Sequence, residues 1–195
     1  MDKYIYKRKA FSKEQCEQLI KVFEKNDLVP NHSRGYLAVY SILDKYEFLF
    51  MKPILKEHMM NYANKHKFLH DIYSGWGIVQ EFHLQKYLPG KSYSREHMEH
   101  GKDSWDSNRL LGWMIYLNDI KKGGGTRWPQ QNFTSKPRAG DLYIWPSAWT
   151  HSHHGVAAPK EIKYIITGWC NFDPEATKRR NRKFGYGDGS MFPSD

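Results

Sequence analysis

The chain has 195 residues, two cysteines (Cys16 and Cys170) and a formal net charge of +9. This length suits one domain that buries a core without disulfides. Because the cysteines form no Cys-x-x-Cys pair, the sequence argues against a disulfide framework and against a thiolate zinc site. No apolar run approaches the roughly 18–20 residues of a membrane span, and the N-terminus lacks the apolar core of a signal peptide. We therefore expect one cytoplasmic domain over residues 1–195, without a membrane partner.

The positive charge is open to two interpretations. A basic surface attracts nucleic acid, acidic peptides or anionic small molecules, but it can also serve solubility alone. A basic run, Lys178 to Lys183, lies within the tail 173–195, which continues into a glycine-rich end. Such a run is more typical of a solvated tail than of a nucleic-acid site. We therefore do not expect nucleic acid as the main partner.

The N-terminal part, about residues 1–75, has the pattern of helices. Ser12 is followed three positions later by Gln15, which is the signature of a capping box. Phe11 and Cys16 flank that cap as a hydrophobic staple. A second helix is predicted to begin near Pro53. The apolar residues expected on the inner faces of these two helices are Leu19, Ile20, Phe23, Leu55, Met59 and Tyr62.

The pattern changes to short strands over about residues 76–172. The segments "GIVQEFHLQKYLPG", "NRLLGWMIYLND", "AGDLYIWP" and "IKYIITGW" are separated by turn residues, with no helical pattern between them. Gly124, Gly125 and Thr126 are interpreted as one structural turn. Such spacing is typical of an antiparallel sandwich or jelly roll. We predict an α+β fold, a double-stranded β-helix (jelly roll) with the N-terminal helices packed on one face.

Two histidine clusters suggest a metal site. His97 and Glu99 are separated by one residue, so on a strand their side chains point to the same side. A third ligand is available from His151, His153 or His154. Two histidines and one carboxylate on one face of a metal leave positions open, an arrangement that suits non-haem Fe(II) oxygenases. Each cluster alone is a weak signal, because a His-x-Glu pair is more often a surface pair.

The ordered set of segments from Tyr87 to Trp169 strengthens this hypothesis. It contains "YLPGKSY", "HME", "RLLGWMIYLND", "GGGT", "PRAGDLYIWPS", the histidine cluster and "KYIITGW". In this order the segments resemble the catalytic core of the iron(II)- and 2-oxoglutarate-dependent dioxygenases, in the prolyl 4-hydroxylase-like branch with its phage and bacterial members. The resemblance covers a little under half of the chain. It implies an enzyme that uses Fe(II), 2-oxoglutarate and O₂, with ascorbate as a further candidate.

The resemblance also implies the metal ligands. His97 and Glu99 fall on the family's His-x-Asp/Glu pair, where aspartate is the more usual acid. The distal histidine follows the "WPS" strand and precedes a basic residue, often by ten positions. That spacing points to His153, with His151 as the main alternative and His154 as the weakest.

Three further residues are implied to bind 2-oxoglutarate. Lys163 would pair with its far carboxylate, and a buried ammonium in the apolar segment "IKYIITGW" does need an anion. Lys160, in a proline-containing turn, is a weaker candidate. Tyr87 would reach the cosubstrate with its hydroxyl, and Trp169 would form a wall of its pocket. As alternatives, Tyr87 is a half-buried strand residue and Trp169 a core aromatic.

The reaction implied is hydroxylation coupled to conversion of 2-oxoglutarate into succinate and CO₂. A peptidyl proline is the first expected substrate, and a free amino acid or another small molecule is the second. Tyr93, Trp105 and Trp128 either line a peptide groove or pack under loops.

Two alternative functions remain open on the same fold. One is a nucleic-acid demethylase, which the basic charge favours. The absence of any arginine between Arg138 and Arg179 counts against it, because that group usually carries a pair of arginines after the distal histidine. The other is a non-catalytic jelly-roll binding module.

Overall fold

The computed structural model describes residues 2–25, 29–31, 36–71, 75–102 and 106–172. Three α-helices lie in the first half of the chain: α1 (Lys13–Glu24), α2 (Met51–Lys65) and α3 (Phe68–Asp71). The ten strands are β1 (Tyr6–Lys9), β2 (Val29–Asn31), β3 (Tyr36–Ile42), β4 (Trp76–Tyr87), β5 (Arg109–Tyr116), β6 (Thr126–Trp128), β7 (Phe133–Thr134), β8 (Asp141–Pro146), β9 (His154–Gly155) and β10 (Lys163–Phe172). The basic run at 178–183 and Trp105 lie outside the described residues.

The strands form two antiparallel sheets. The major sheet has seven strands in the order β1-β8-β5-β10-β4-β3-β2, and the minor sheet has three in the order β7-β6-β9. At the centre of the major sheet, β10 pairs with β4 on one side and with β5 on the other. Neighbouring strands in the order are therefore far apart in sequence, which is how residues near 87 and 163 come to lie side by side.

Each face of the major sheet covers its own apolar core, because side chains alternate along a strand. One core lies against the helices and contains Leu19 of α1, Leu55 of α2 and Trp113 of β5. The other lies towards the minor sheet and contains Met114 of β5 and Trp128 of β6. This arrangement confirms the prediction of an α+β jelly roll with helices on one face.

Local signals in helix α1 behave as predicted. The Ser12 hydroxyl accepts a hydrogen bond from the Gln15 backbone N–H at 3.2 Å, and the Gln15 side chain accepts one from the Ser12 N–H at 2.8 Å. Phe11 and Cys16 are both buried beside this cap. The capping box therefore fixes the start of a helix whose apolar face covers the sheet.

The prediction that residues 1–75 are helical was incomplete, because three strands lie within that range. Strand β1 has the sequence Tyr-Lys-Arg-Lys, which carries no strand signal, and it forms by pairing with the edge of β8. Strand β3, "YLAVYSI", does alternate between buried and exposed positions over much of its length. Its β-branched and aromatic residues were the available signal.

None of the helices in the described part of the chain combines the length and the apolar character that a membrane span requires.

Candidate metal centre

The segment that carries His97 and Glu99 is not a regular strand. Instead, His97 forms an isolated antiparallel bridge with His153. The His97 N–H donates to the His153 carbonyl at 3.0 Å, and the His153 N–H donates to the His97 carbonyl at 2.8 Å. Two backbone bonds therefore place one residue from each histidine cluster directly opposite the other. Glu99 is fixed nearby by a 3.1 Å bond from its N–H to the Ser147 carbonyl.

Three side chains converge at this bridge. Ligand atoms of His97, Glu99 and His153 all lie within 4.8 Å of one another. The Nδ1 of His97 is 3.0 Å from the Arg95 carbonyl, and the Nδ1 of His153 is 3.0 Å from the His151 carbonyl. A carbonyl only accepts, so Nδ1 of each ring carries a proton, and Nε2 is the nitrogen that is left to face a metal.

The structure separates the three candidate distal histidines. His151 is buried elsewhere, with Nε2 at 3.4 Å from Asp2 Oδ1 and Nδ1 at 3.0 Å from Thr150 Oγ1. His154 belongs to β9, where it pairs with Arg127 of the minor sheet. Only His153 joins the cluster among the described residues, in the position that the ten-residue spacing to Lys163 favoured.

Glu99 is held as an anion in a nearly closed environment. It is 8% exposed, and its Oε1 lies 3.2 Å from His153 Nε2. The Trp169 indole N–H donates to Oε2 at 2.7 Å. Burial alone would raise the pKa of Glu99, but the hydrogen bond and charge of His153, the charge of His97 and the Trp169 bond lower it to about 2. A buried carboxylate kept ionised in this way is suited to bind a cation.

Lys163 lies at the start of β10, directly opposite Tyr87 of β4. It is only 3% exposed, and its ammonium lies 4.3 Å above the centre of the Tyr87 ring. Burial lowers the pKa of Lys163 to about 8. No carboxylate in the described part of the chain forms an ion pair with it. A buried ammonium without a protein anion marks a place for an anionic ligand.

A cavity of about 80 Å³ connects the three ligand side chains to Lys163. Tyr87 and Trp169 line it, as the resemblance implied, and so does Tyr93, whose ring lies 4.4 Å from that of His97. The Tyr87 hydroxyl donates to Gln85 Oε1 at 2.8 Å. Trp128 is fully buried in the core between the sheets, which supports packing under loops rather than a groove.

Among the lining residues that were not identified as such from the sequence are Gln85, Met114, Thr126 and Thr167. Gln85 and Thr167 lie two positions before Tyr87 and Trp169, so strand alternation would have found them. Thr126 was interpreted as a turn residue, but it begins β6 and its hydroxyl lies within 3.1 Å of the Tyr116 hydroxyl. That position depends on how the minor sheet packs, which no local pattern shows.

The donor set fits Fe(II). Two imidazole nitrogens and one carboxylate oxygen form the ligand set that is typical of non-haem Fe(II) oxygenases. The same cavity is lined by the buried Lys163 ammonium, which suits an anionic ligand.

Comparisons with known proteins agree with this geometry. Residues 82–171 match the family model of the 2OG-Fe(II) oxygenase superfamily. A search of curated proteins finds no match.

Among solved structures, the chain is similar to the viral collagen prolyl hydroxylase of Paramecium bursaria Chlorella virus-1 in its 2OG complex. The TM-score is 0.70 at 21% identity, covering 87% of this chain and 96% of that one. A prolyl-4-hydroxylase from Pseudomonas putida gives 0.67 at 20% identity, covering 87% and 92%. A prolyl hydroxylase from Trichoplax adhaerens, in complex with a peptide fragment of the hypoxia inducible factor oxygen degradation domain, gives 0.64 at 17% identity, covering 90% and 86%. Residues 82–171, which include the candidate metal ligands and Lys163, therefore match the 2OG-Fe(II) oxygenase superfamily, and the fold is similar to that of the prolyl hydroxylases.

Proposed function

We propose that this protein is an Fe(II)- and 2-oxoglutarate-dependent dioxygenase that hydroxylates proline within a peptide. The observation that carries the proposal is one cavity lined by two chemically different groups. His97, Glu99 and His153 converge on it, and the buried Lys163 ammonium lines it as well.

Metal binding and cosubstrate binding are assigned to different residues of this cavity. His97, Glu99 and His153 would hold the metal. Bound Fe(II) supplies activation of O₂ coupled to oxidative decarboxylation of 2-oxoglutarate. Lys163 would bind the far carboxylate of that cosubstrate and so orient it along the cavity, as orientation is what the protein contributes in such sites. Tyr93 and Trp169 narrow the cavity next to the ligands and exclude water.

A peptide is favoured over a free amino acid by the surface that continues from the site. The Trp169 ring contacts His83 at 5.0 Å between centroids, and His83 contacts Tyr40 at 4.4 Å. Tyr40 and Ile42, on the same strand, are 51% and 40% exposed. The distance from the Trp169 ring to His83 alone, 5.0 Å, is longer than the roughly 3.3–3.6 Å that one extended residue of a peptide spans. The line of rings therefore suits a substrate with residues on either side of the reacting one. The structural relatives named as prolyl hydroxylases supply the choice of proline.

The proposal is tested with a panel of proline-containing peptides and free proline, each incubated with Fe(II), 2-oxoglutarate and air. We expect a peptide that gains one oxygen atom by mass spectrometry, with an equal amount of succinate. Succinate without a modified peptide, but with oxidised free proline, would contradict the peptide assignment. No iron-dependent succinate with any substrate would contradict the enzyme itself. His153→Ala and peptides with proline replaced by alanine serve as matched controls.

A further inference from the structure

The carboxylate ligand of this protein is a glutamate, and the strand beneath it has a glycine. A Cβ atom added to Gly112 of β5 would lie 3.0 Å from Cγ of Glu99 and 2.9 Å from two ring atoms of Trp145. Side chains do not normally approach this closely. Cγ of Glu99 and the edge of Trp145 therefore occupy the space that a side chain at position 112 would need.

The sheet register explains how this space is enclosed. Gly112 is the cross-strand partner of Trp145 on β8 and of Trp169 on β10. Three positions in one row across the sheet thus read tryptophan, glycine, tryptophan. The two indoles flank the glycine, and Glu99 lies over it and accepts a hydrogen bond from Trp169.

One of these indoles also fixes the direction of the carboxylate. The Trp169 N–H holds Glu99 Oε2 at 2.7 Å, which leaves Oε1 facing His153 Nε2 at 3.2 Å. The Arg109 guanidinium lies 3.8 Å from the centre of the Trp169 ring and donates to the Glu99 carbonyl at 3.1 Å. Asp106 in turn holds Arg109 through a 2.9 Å ion pair. The Arg109 guanidinium also lies 3.8 Å from Glu99 Oε2, so it contacts both the Trp169 ring and the carboxylate.

We propose that Trp145, Gly112 and Trp169 form a socket specific for glutamate as the metal-binding carboxylate, and that Trp169 is a positioning residue that presents Oε1 to the metal. The proposal rests on the metal site of the proposed function. An aspartate at position 99 would be shorter by one C–C bond, about 1.5 Å. Its carboxylate could not both accept from the Trp169 N–H and reach the metal between the two histidines.

The test measures binding of Mn(II) alone to the full-length protein by calorimetry, so that no turnover is needed. We expect Glu99→Asp and Trp169→Phe each to weaken Mn(II) binding about 10- to 100-fold, as losses of groups that orient a ligand typically do. Trp113→Phe is the matched control. Trp113 is buried on the helix side of the sheet, and its N–H has no hydrogen-bond partner among the described residues. It should bind Mn(II) as the wild type does.

A double-mutant cycle isolates the socket from general damage to the fold. Gly112→Ala should weaken Mn(II) binding about tenfold or more when Glu99 is present. Its effect on the residual Mn(II) affinity should be much smaller in the Glu99→Ala background, where the Cγ that the new Cβ would meet is gone. The contact with Trp145 is the same in both backgrounds, so it cancels.

Two results would overturn the socket: equal effects of Gly112→Ala in the two backgrounds, or wild-type Mn(II) affinity in Glu99→Asp. The proposed function fails by a different result, in which wild-type protein binds no Mn(II) or His153→Ala binds it unchanged.

Discussion

Replacing Lys163 by methionine should stabilise the free protein and abolish its response to 2-oxoglutarate. Methionine keeps an unbranched chain of similar length in the buried slot beside Tyr87, but removes the ammonium. The substitution should raise the stability of the free protein and remove its stabilisation by 2-oxoglutarate. Both effects follow because the Lys163 ammonium is buried and pairs with no carboxylate among the described residues.

The first effect can be sized from the pKa of Lys163, which burial lowers from 10.5 to about 8. Each pKa unit corresponds to about 1.4 kcal/mol, so the charged form costs the folded protein about 3 kcal/mol. Between pH 8 and 10.5 the unfolded chain binds more protons than the folded one, so the cost declines as pH rises and is fully present below pH 8. The contact of the ammonium with the Tyr87 ring offsets about 0.5–2 kcal/mol of it. At pH 7 we expect a net gain in the free energy of unfolding of about 1–2 kcal/mol, or about 2–8 °C in Tm.

The second effect concerns the ligand. Removing one partner of a buried charge pair costs about 2–5 kcal/mol of binding free energy. At 100 times its Kd, a ligand stabilises a protein by about 2.7 kcal/mol. Thermal unfolding of the Mn(II)-loaded protein, with and without 2-oxoglutarate, reads both effects in one assay. Wild-type protein should show a rise in Tm with 2-oxoglutarate that the Lys163→Met variant lacks. A variant that is less stable alone, yet still responds to 2-oxoglutarate like the wild type, would refute the reasoning.

Three further predictions follow from single contacts. His153→Ala should weaken Mn(II) binding by more than the about 10- to 100-fold that removal of an orienting partner costs. His151→Ala should leave Mn(II) binding unchanged in calorimetry, and the reverse order of effects would make His151 the ligand. The pKa of Lys163 is about 8 in the free protein, and a bound anion raises that pKa, so 2-oxoglutarate affinity should be constant from pH 6.5 to 7.5 and fall above pH 8. The fall should be absent in Lys163→Met, and an unchanged fall in that variant would assign the pH dependence to another group. Ser12→Ala removes the oxygen that caps α1 and should lower the free energy of unfolding by about 1 kcal/mol, as measured in urea, with Mn(II) affinity unchanged; an unchanged midpoint would show that the cap contributes nothing.

The clustering of His97, Glu99 and His153 could be predicted because its signal is local. His97 and Glu99 lie two residues apart, and the order of motifs with its spacing to Lys163 separated His153 from His151. The sequence was less informative about how they meet, because Glu99 lies in an irregular segment fixed by one bridge and a bond to Ser147. Such backbone pairing between distant segments leaves no periodic pattern.

The partners of Glu99 could not be predicted for the same reason. Trp169 reads as a wall or core residue, and its bond to Glu99 depends on the register of β10 beside β5. From the sequence alone, Gly112 is a residue that weakens an apolar strand. Its proximity to Glu99 becomes evident only in the folded structure. In the N-terminal part, β1 forms on the edge of β8 despite its basic sequence. Tertiary pairing overrides local propensity there.

The most direct measurement is a crystal structure of the protein grown without oxygen, with Mn(II) and 2-oxoglutarate. The account predicts one metal bound by His97 Nε2, Glu99 Oε1 and His153 Nε2, and a cosubstrate whose far carboxylate pairs with Lys163. A metal bound through His151, or 2-oxoglutarate lying with neither carboxylate near Lys163, would contradict it.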